Sequence, residues 1–150
     1  MENAHFYEVD VTWEEGRKGS MSSPALNNNI EVATPPEFAK GIAGIWSPEH
    51  LLVAAVNSCL MTTFLAIAEN SKLNFKDFNC GASGKLEKAD GKYMITEIIL
   101  SPVLTIPDEH EMERAERILQ KAELACLISN SVKSKVIMQP KIKVQNDQSC

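Results

Sequence analysis

Four cysteines, at positions 59, 80, 126 and 150, are the residues of this 150-residue chain whose type most directly suggests chemistry. A thiol can attack as a thiolate, ligate a metal or form a disulfide, and its surroundings separate these uses. No pair is spaced C-x-x-C, so neither a zinc site nor a thioredoxin-type motif is indicated. His5, His50 and His110 supply no metal-binding spacing, and no phosphate-binding glycine loop is visible. The expectation is a protein without a metal or an organic cofactor.

Cys59 lies in "WSPEHLLVAAVNSCLMTTFLAIAEN", residues 46–70, the most apolar run in the chain. Read alone it is a core residue, because free cysteine is among the most buried residue types. To act as a nucleophile it needs a cation from elsewhere. A mid-helix thiol lies beyond the reach of the helix N-terminus, and an ordinary thiol is only about 3% ionised at pH 7. Arg17, in "EEGRKGS", is a candidate, since a glycine-flanked turn can project a side chain inward; by itself it reads as an exposed turn arginine. Glu49 precedes Cys59 on the same helix by about 15 Å of axial rise. A site using both requires two copies of the helix side by side, or an intermediary such as Arg17. Cys126 extends the apolar stripe of a later helix, Cys80 alternates with Phe78 and Ala82 as packing, and Cys150 is a tail thiol.

These residues must be positioned by a small set of elements. Alternation over "FYEVDVTW" (6–13) predicts a half-buried strand with Tyr7, Val9, Val11 and Trp13 on one face. "SMSS" and "IEVAT", separated by "NNN", complete a small antiparallel meander, and "PPEFAKGIAG" (35–44) reads as a loop. Ser47-Pro48-Glu49 starts a helix running to about Asn70: an N-cap, a first-position proline and an acidic first turn. That helix is apolar nearly all round, so protein must cover several of its sides, and a partner subunit is a source of that cover. Residues 75–106 form a long hairpin turning near Gly91, with a bulge or an edge implied at Pro102. A second helix begins at Asp108, where Asp108 and Glu111 resemble a capping box. Its stripe is Met112, Ala115, Leu119, Ala122 and Cys126. "ISNSVKSK" suggests a cap and a short helical turn, and "VIMQPKIKV" a final strand. One domain spanning 1–150 is expected, with 145–150 as a disordered tail.

A net charge of −5 and the absence of any basic run argue against nucleic acid or an anionic membrane surface as partner. The run from Leu51 to Ala68 is long enough to suggest a membrane span. It carries Asn57, Ser58, Thr62 and Thr63 without flanking Lys and Arg, which favours a buried core helix. "MENAHFYEVD" has no signal-peptide pattern, so a reducing, cytoplasmic setting with free thiols is expected.

Four signals then coincide in order: the arginine of "GRKGS" (Arg17), the P-E of "WSPEHLLVAAVNSC" (Glu49), its cysteine (Cys59), and the cysteine of "AELACLISNS" (Cys126). With the element order over residues 6–144, the chain resembles the osmotically inducible protein C / organic hydroperoxide resistance (OsmC/Ohr) family. The resemblance implies an α+β fold, an OsmC-like intertwined homodimer with antiparallel sheets wrapped around long central helices. It implies a cysteine peroxidase acting on organic hydroperoxides. Cys59 would be the peroxidatic cysteine and Cys126 the resolving one, bridged within one chain and regenerated by an external dithiol, in the better-known branch a lipoyl-linked one. Arg17 would lower the Cys59 pKa and Glu49 would orient Arg17. A non-catalytic dimeric domain of the same fold, holding a small apolar ligand, is the alternative. The sequence departs from the family pattern at Leu127, where many members have proline, at Trp46-Ser47 in place of T-N, and in the 35–44 loop, which lacks consecutive glycines.

Overall fold

The computed structural model describes residues 3–146, which fall into two compact units, one up to Leu51 and the other from Leu52 onward. The first unit contains β1 (Asp10–Glu15), β2 (Lys18–Ser22) and β3 (Ile30–Ala33) in an antiparallel sheet of order β1-β2-β3. β1 starts later than the alternation predicted, and the expected half-buried face is exposed within the chain: Tyr7, Val9, Val11 and Trp13 are each about 70% accessible or more. The two-residue turn Gly16-Arg17 joins β1 to β2. Gly16 takes the positive φ (52°) that its first position requires, and its carbonyl accepts a hydrogen bond from Trp13 Nε1 (3.0 Å).

The loop after β3 is pinned back onto the sheet. Val32 and Trp46 form a parallel bridge, Ala33 donates to the Trp46 carbonyl (2.9 Å), and Thr34 donates to the Arg17 carbonyl (3.2 Å). At Gly41 an added Cβ would lie 1.9 Å from the Pro35 carbonyl oxygen, so only glycine lets the loop fold over itself there.

Helix α1 (Pro48–Asn70) has the bounds its signals predicted. Ser47 is fully buried, and its hydroxyl accepts from the His50 backbone N–H (3.1 Å), satisfying a first-turn donor. The helix ends in a Schellman arrangement: Lys72 adopts φ 56°, Leu73 donates to Ala68 O (2.9 Å) and Lys72 to Glu69 O (3.1 Å). Val56, Leu60, Phe64 and Ala68, spaced by four, are buried, while Met61 and Leu65 on another face stay exposed. The helix is long and apolar enough to cross a membrane by length and composition.

In the second unit, β4 (Asp77–Ala89) and β5 (Lys92–Ile106) form the expected hairpin. Asp90 and Gly91, both at positive φ, make its tight turn. A short 3₁₀ turn (Glu109–Glu111) leads into α2 (Met112–Ala125), and β6 (Lys135–Met138) and β7 (Lys141–Val144) follow. Both pair parallel to β5, so this sheet is mixed rather than antiparallel. The reason is topological: a helix crossover returns the chain in the same direction, which a hairpin cannot do. The single strand expected over "VIMQPKIKV" is therefore two, broken at Gln139-Pro140. The Leu100 and Ile106 carbonyls accept from Gln139 and Gln145 on that side of β5. Pro102 thus turns its missing N–H to the gap between β6 and β7, which lets proline occupy a central strand. The bulge lies elsewhere, between Lys85 and Leu86.

The capping box is not formed as expected. The Asp108 carboxylate accepts from His110 N–H (2.9 Å), while the Glu111 carboxylate turns to Arg114 (2.7 Å). The preceding 3₁₀ turn has already claimed the Glu111 N–H for the Asp108 carbonyl (3.0 Å). α2 buries Ala115, Ile118, Leu119 and Ala122, adding Ile118 to the predicted stripe. Together with α1 and Ile98, Leu100, Leu104 and Ile106 of β5 they form one core, in which Phe64 stacks on Phe78 with centroids 4.9 Å apart. Most of the expected tail, residues 147–150 with Cys150, lies outside the described residues.

Candidate active site

Each unit assembles one pair of the residues singled out in the sequence. In the first, the Gly16-Arg17 turn, β3, the pinned loop and the start of α1 enclose a cleft of about 550 Å³, with Arg17, Glu49, Trp13 and Phe38 among its lining residues. The neighbouring cation, Lys18, is held by Glu31 (3.0 Å) and Glu14 (3.8 Å), which raises its pKa. The exposed guanidinium of Arg17 has no ion pair among the described residues. The cleft is thus an apolar recess carrying one unengaged positive charge and one carboxylate.

In the second unit, Cys59 and Cys126 meet. Cys59 is 7% accessible and Cys126 fully buried, and both are free thiols. They come together because α2 ends at Cys126. Its extended backbone (φ −67°, ψ 109°) breaks the helix, and the chain at once begins a new short turn, with Asn130 N–H donating to the Cys126 carbonyl (3.1 Å). That turn is the short 3₁₀ segment Ser129–Ser131, with Ile128 at its N-cap. Ser129, three residues on from Cys126, lies near its sulfur and lowers its pKa, while the buried Ser129 hydroxyl makes no hydrogen bond of ordinary length among the described residues. The backbone of Leu127 and Ile128 lies near enough to Cys59 to lower its pKa.

This arrangement separates the two thiols electrostatically. Burial pushes the Cys59 thiol up. Hydrogen bonds from the Ile128 backbone, the Cys126 thiol, the Thr63 hydroxyl and the Leu127 backbone outweigh it, so Cys59 lies below the ordinary thiol value. Thr63 Oγ1 is 3.8 Å from the sulfur, one turn along α1. Burial pushes Cys126 up; Ser129 pulls it back in part, and the neighbouring Cys59 raises it again. The first proton to leave the pair therefore leaves Cys59, and the Cys126 S–H donates to the resulting thiolate. Cys80, half-buried in β4, is raised by burial, with partial relief from the Ser101 backbone.

Sequence reasoning named both cysteines but missed their supports, Thr63, Leu127, Ile128 and Ser129. Backbone groups leave no side-chain signature in the sequence. The expected apolar neighbours divide differently: Leu60 and Phe64 are core, and Phe38 lines the Arg17 cleft.

A family model described as OsmC-like protein matches residues 41–141, which include Glu49, Cys59 and Cys126. The chain belongs to this family. A relative from Bacillus subtilis (strain 168), uncharacterized protein YmaD, is 25% identical over 148 residues and 97% of each chain. Among solved structures, an OsmC-like protein of unknown function from Vibrio cholerae superposes with TM-score 0.81 at 23% identity, over 91% of this chain and 99% of that one. An organic hydroperoxide resistance protein from Elizabethkingia anophelis superposes with TM-score 0.75 at 19% identity, over 97% of this chain and all of that one. These likenesses establish the OsmC-type α+β fold.

Proposed function

We propose that this OsmC/Ohr family member is a thiol peroxidase that reduces organic hydroperoxides to alcohols. The observation that carries the reading is a pair of neighbouring buried free thiols of opposite tendency, Cys59 with its pKa lowered and Cys126 with its pKa raised. The Cys59 thiolate attacks the distal oxygen of R–O–OH; the O–O bond breaks, RO⁻ takes a proton and leaves as the alcohol, and Cys59 becomes a sulfenic acid. The Cys126 sulfur then displaces hydroxide from that sulfur, which leaves as water with the Cys126 proton and gives a Cys59–Cys126 disulfide. An external dithiol, lipoyl-linked in this proposal, reduces it by exchange. The neutral Cys126 suits this order, since it does not compete for peroxide and is adjacent when the sulfenic acid forms.

The working form in this proposal is a homodimer. The exposed Met61 and Leu65 on α1, and the bare apolar face of Tyr7, Val9, Val11 and Trp13, support it, because a soluble protein seldom leaves such surface uncovered. In the dimer Arg17, oriented by Glu49, supplies its guanidinium to the Cys59 thiolate, and the apolar walls of its cleft receive the organic part of the peroxide.

The test is peroxide consumption with a dithiol as reductant, followed by peptide mapping of disulfides. A Cys59–Cys126 bridge and loss of turnover in Cys59→Ser are expected; unchanged turnover in that variant sinks the assignment. A second reading, a non-catalytic dimer holding a small apolar ligand, draws on the volume and apolar walls of the Arg17 cleft. Ligand binding without any peroxide-dependent disulfide would favour it.

A further inference from the structure

The exposed face of α2 carries a recess that the cysteine chemistry does not use. It lies against the turn that ends α1, has a volume of about 490 Å³, and is lined by Ser71, Arg114, Arg117, Gln120, Lys121 and Leu124 among others. The cations at 114, 117 and 121 are spaced by three and four, which stacks them along one face of the helix. Three cations and no carboxylate line this recess, in a chain whose net charge is −5. Glu111 engages Arg114 (2.7 Å), but Arg117 and Lys121 have no ion pair among the described residues. Like charges one turn apart on a helix repel, so this pair is a cost that a bound anion would remove. The end of α1 does not oppose an anion strongly. The Lys72 and Leu73 N–H groups already take the Glu69 and Ala68 carbonyls.

We propose that this recess binds a phosphate monoester carrying an apolar substituent. Two unpaired positive charges match a phosphoryl dianion, and the planar Arg117 guanidinium can hold it through two parallel hydrogen bonds. Ser71 and Gln120 stand beside the cations as neutral donors. Leu124, 76% accessible, offers an apolar wall to the substituent. A recess of this size accommodates a small organic ligand. None of these residues belongs to the thiol pair or lines the Arg17 cleft, so the site goes beyond the peroxidase reading and stands without it.

The test titrates phenyl phosphate into the intact protein at about 0.15 M salt, followed by calorimetry and by the amide resonances of α2. Saturable binding is expected. It should be tighter than that of inorganic phosphate, which lacks the apolar part, and of phenol, which lacks the charge. Arg117→Ala/Lys121→Ala removes two charge-assisted contacts and should bind at least about tenfold more weakly. Both positions are exposed on α2, and alanine favours a helix, so the fold survives the change. Leu124→Ala should weaken phenyl phosphate and leave inorganic phosphate unchanged. Absence of saturable binding overturns the proposal, as does wild-type affinity in the double variant or phenol binding as tightly as phenyl phosphate. Binding that is lost in Arg17→Ala but kept in the double variant would belong to the other cleft, and overturns it too.

Discussion

Closing the Cys59–Cys126 bridge should stabilise the protein, and the size of the gain tests whether the two thiols are placed to react. The cysteines are about 67 residues apart in sequence. Cross-linking a loop of that length removes denatured-state entropy worth about 4 kcal/mol at 25 °C. Strain would subtract from this if bonding required the backbone to move. Here the Cys126 thiol lies near enough to Cys59 for each to shift the other's pKa, so most of the entropic gain should survive. With a urea m-value of about 2 kcal/mol/M, the oxidised protein should unfold at roughly 2 M more urea than the reduced protein. The assay is equilibrium unfolding by tryptophan fluorescence of peroxide-treated and dithiol-treated samples at one protein concentration, because dimerisation would make the midpoint concentration-dependent. The gain should vanish in Cys126→Ser. A bridged protein that is no more stable than the reduced one, or less stable, would refute the reasoning: the sulfurs would then be near one another without the geometry for an unstrained bond.

Differential alkylation across pH should label Cys59 first and Cys126 and Cys80 later, because Cys59 alone of the three lies below the ordinary thiol value. Simultaneous labelling of Cys59 and Cys126 would contradict the assigned polarity. The same depression means that ionised Cys59 contributes stability above its unfolded-state pKa, and that this contribution is lost as pH falls through the lower folded-state value. Phe64→Ala, which removes a fully buried ring packed on Phe75 and Phe78, should cost about 3–5 kcal/mol in urea unfolding at fixed protein concentration. Gly41→Ala should rebuild the loop around the Arg17 cleft, since its Cβ would meet the Pro35 carbonyl oxygen at 1.9 Å. It should therefore raise KM for a bulky hydroperoxide while leaving Cys59 alkylation within about twofold of wild type; unchanged KM would count against that cleft as a substrate site.

The local signals of this chain were decisive wherever one segment carried its own instructions. Ser47-Pro48-Glu49 started α1 where those residue types predict, and Asp90-Gly91 turned the long hairpin because both adopt the positive φ its tight turn requires. The stripe on α2 carried Cys126 into the core. The family was legible too, since Arg17, Glu49, Cys59 and Cys126 are side chains whose types and order survive in the sequence. Elsewhere local reading stopped at what neighbours supply. Alternation over Tyr7, Val9, Val11 and Trp13 announces a face to be covered but not whether the chain covers it, and here it does not. "VIMQPKIKV" reads as one strand until β5 offers two places to pair, on either side of Pro102. Cys59 shows the division most clearly. The sequence determined that this thiol sits mid-helix among apolar residues, where it would be inert by default. Only the tertiary structure decided its surroundings, by bringing Cys126 and the backbone of Leu127 and Ile128 near enough to lower its pKa. Hydrogen bonds to a charge depend on position in space, and sequence spacing does not encode that position.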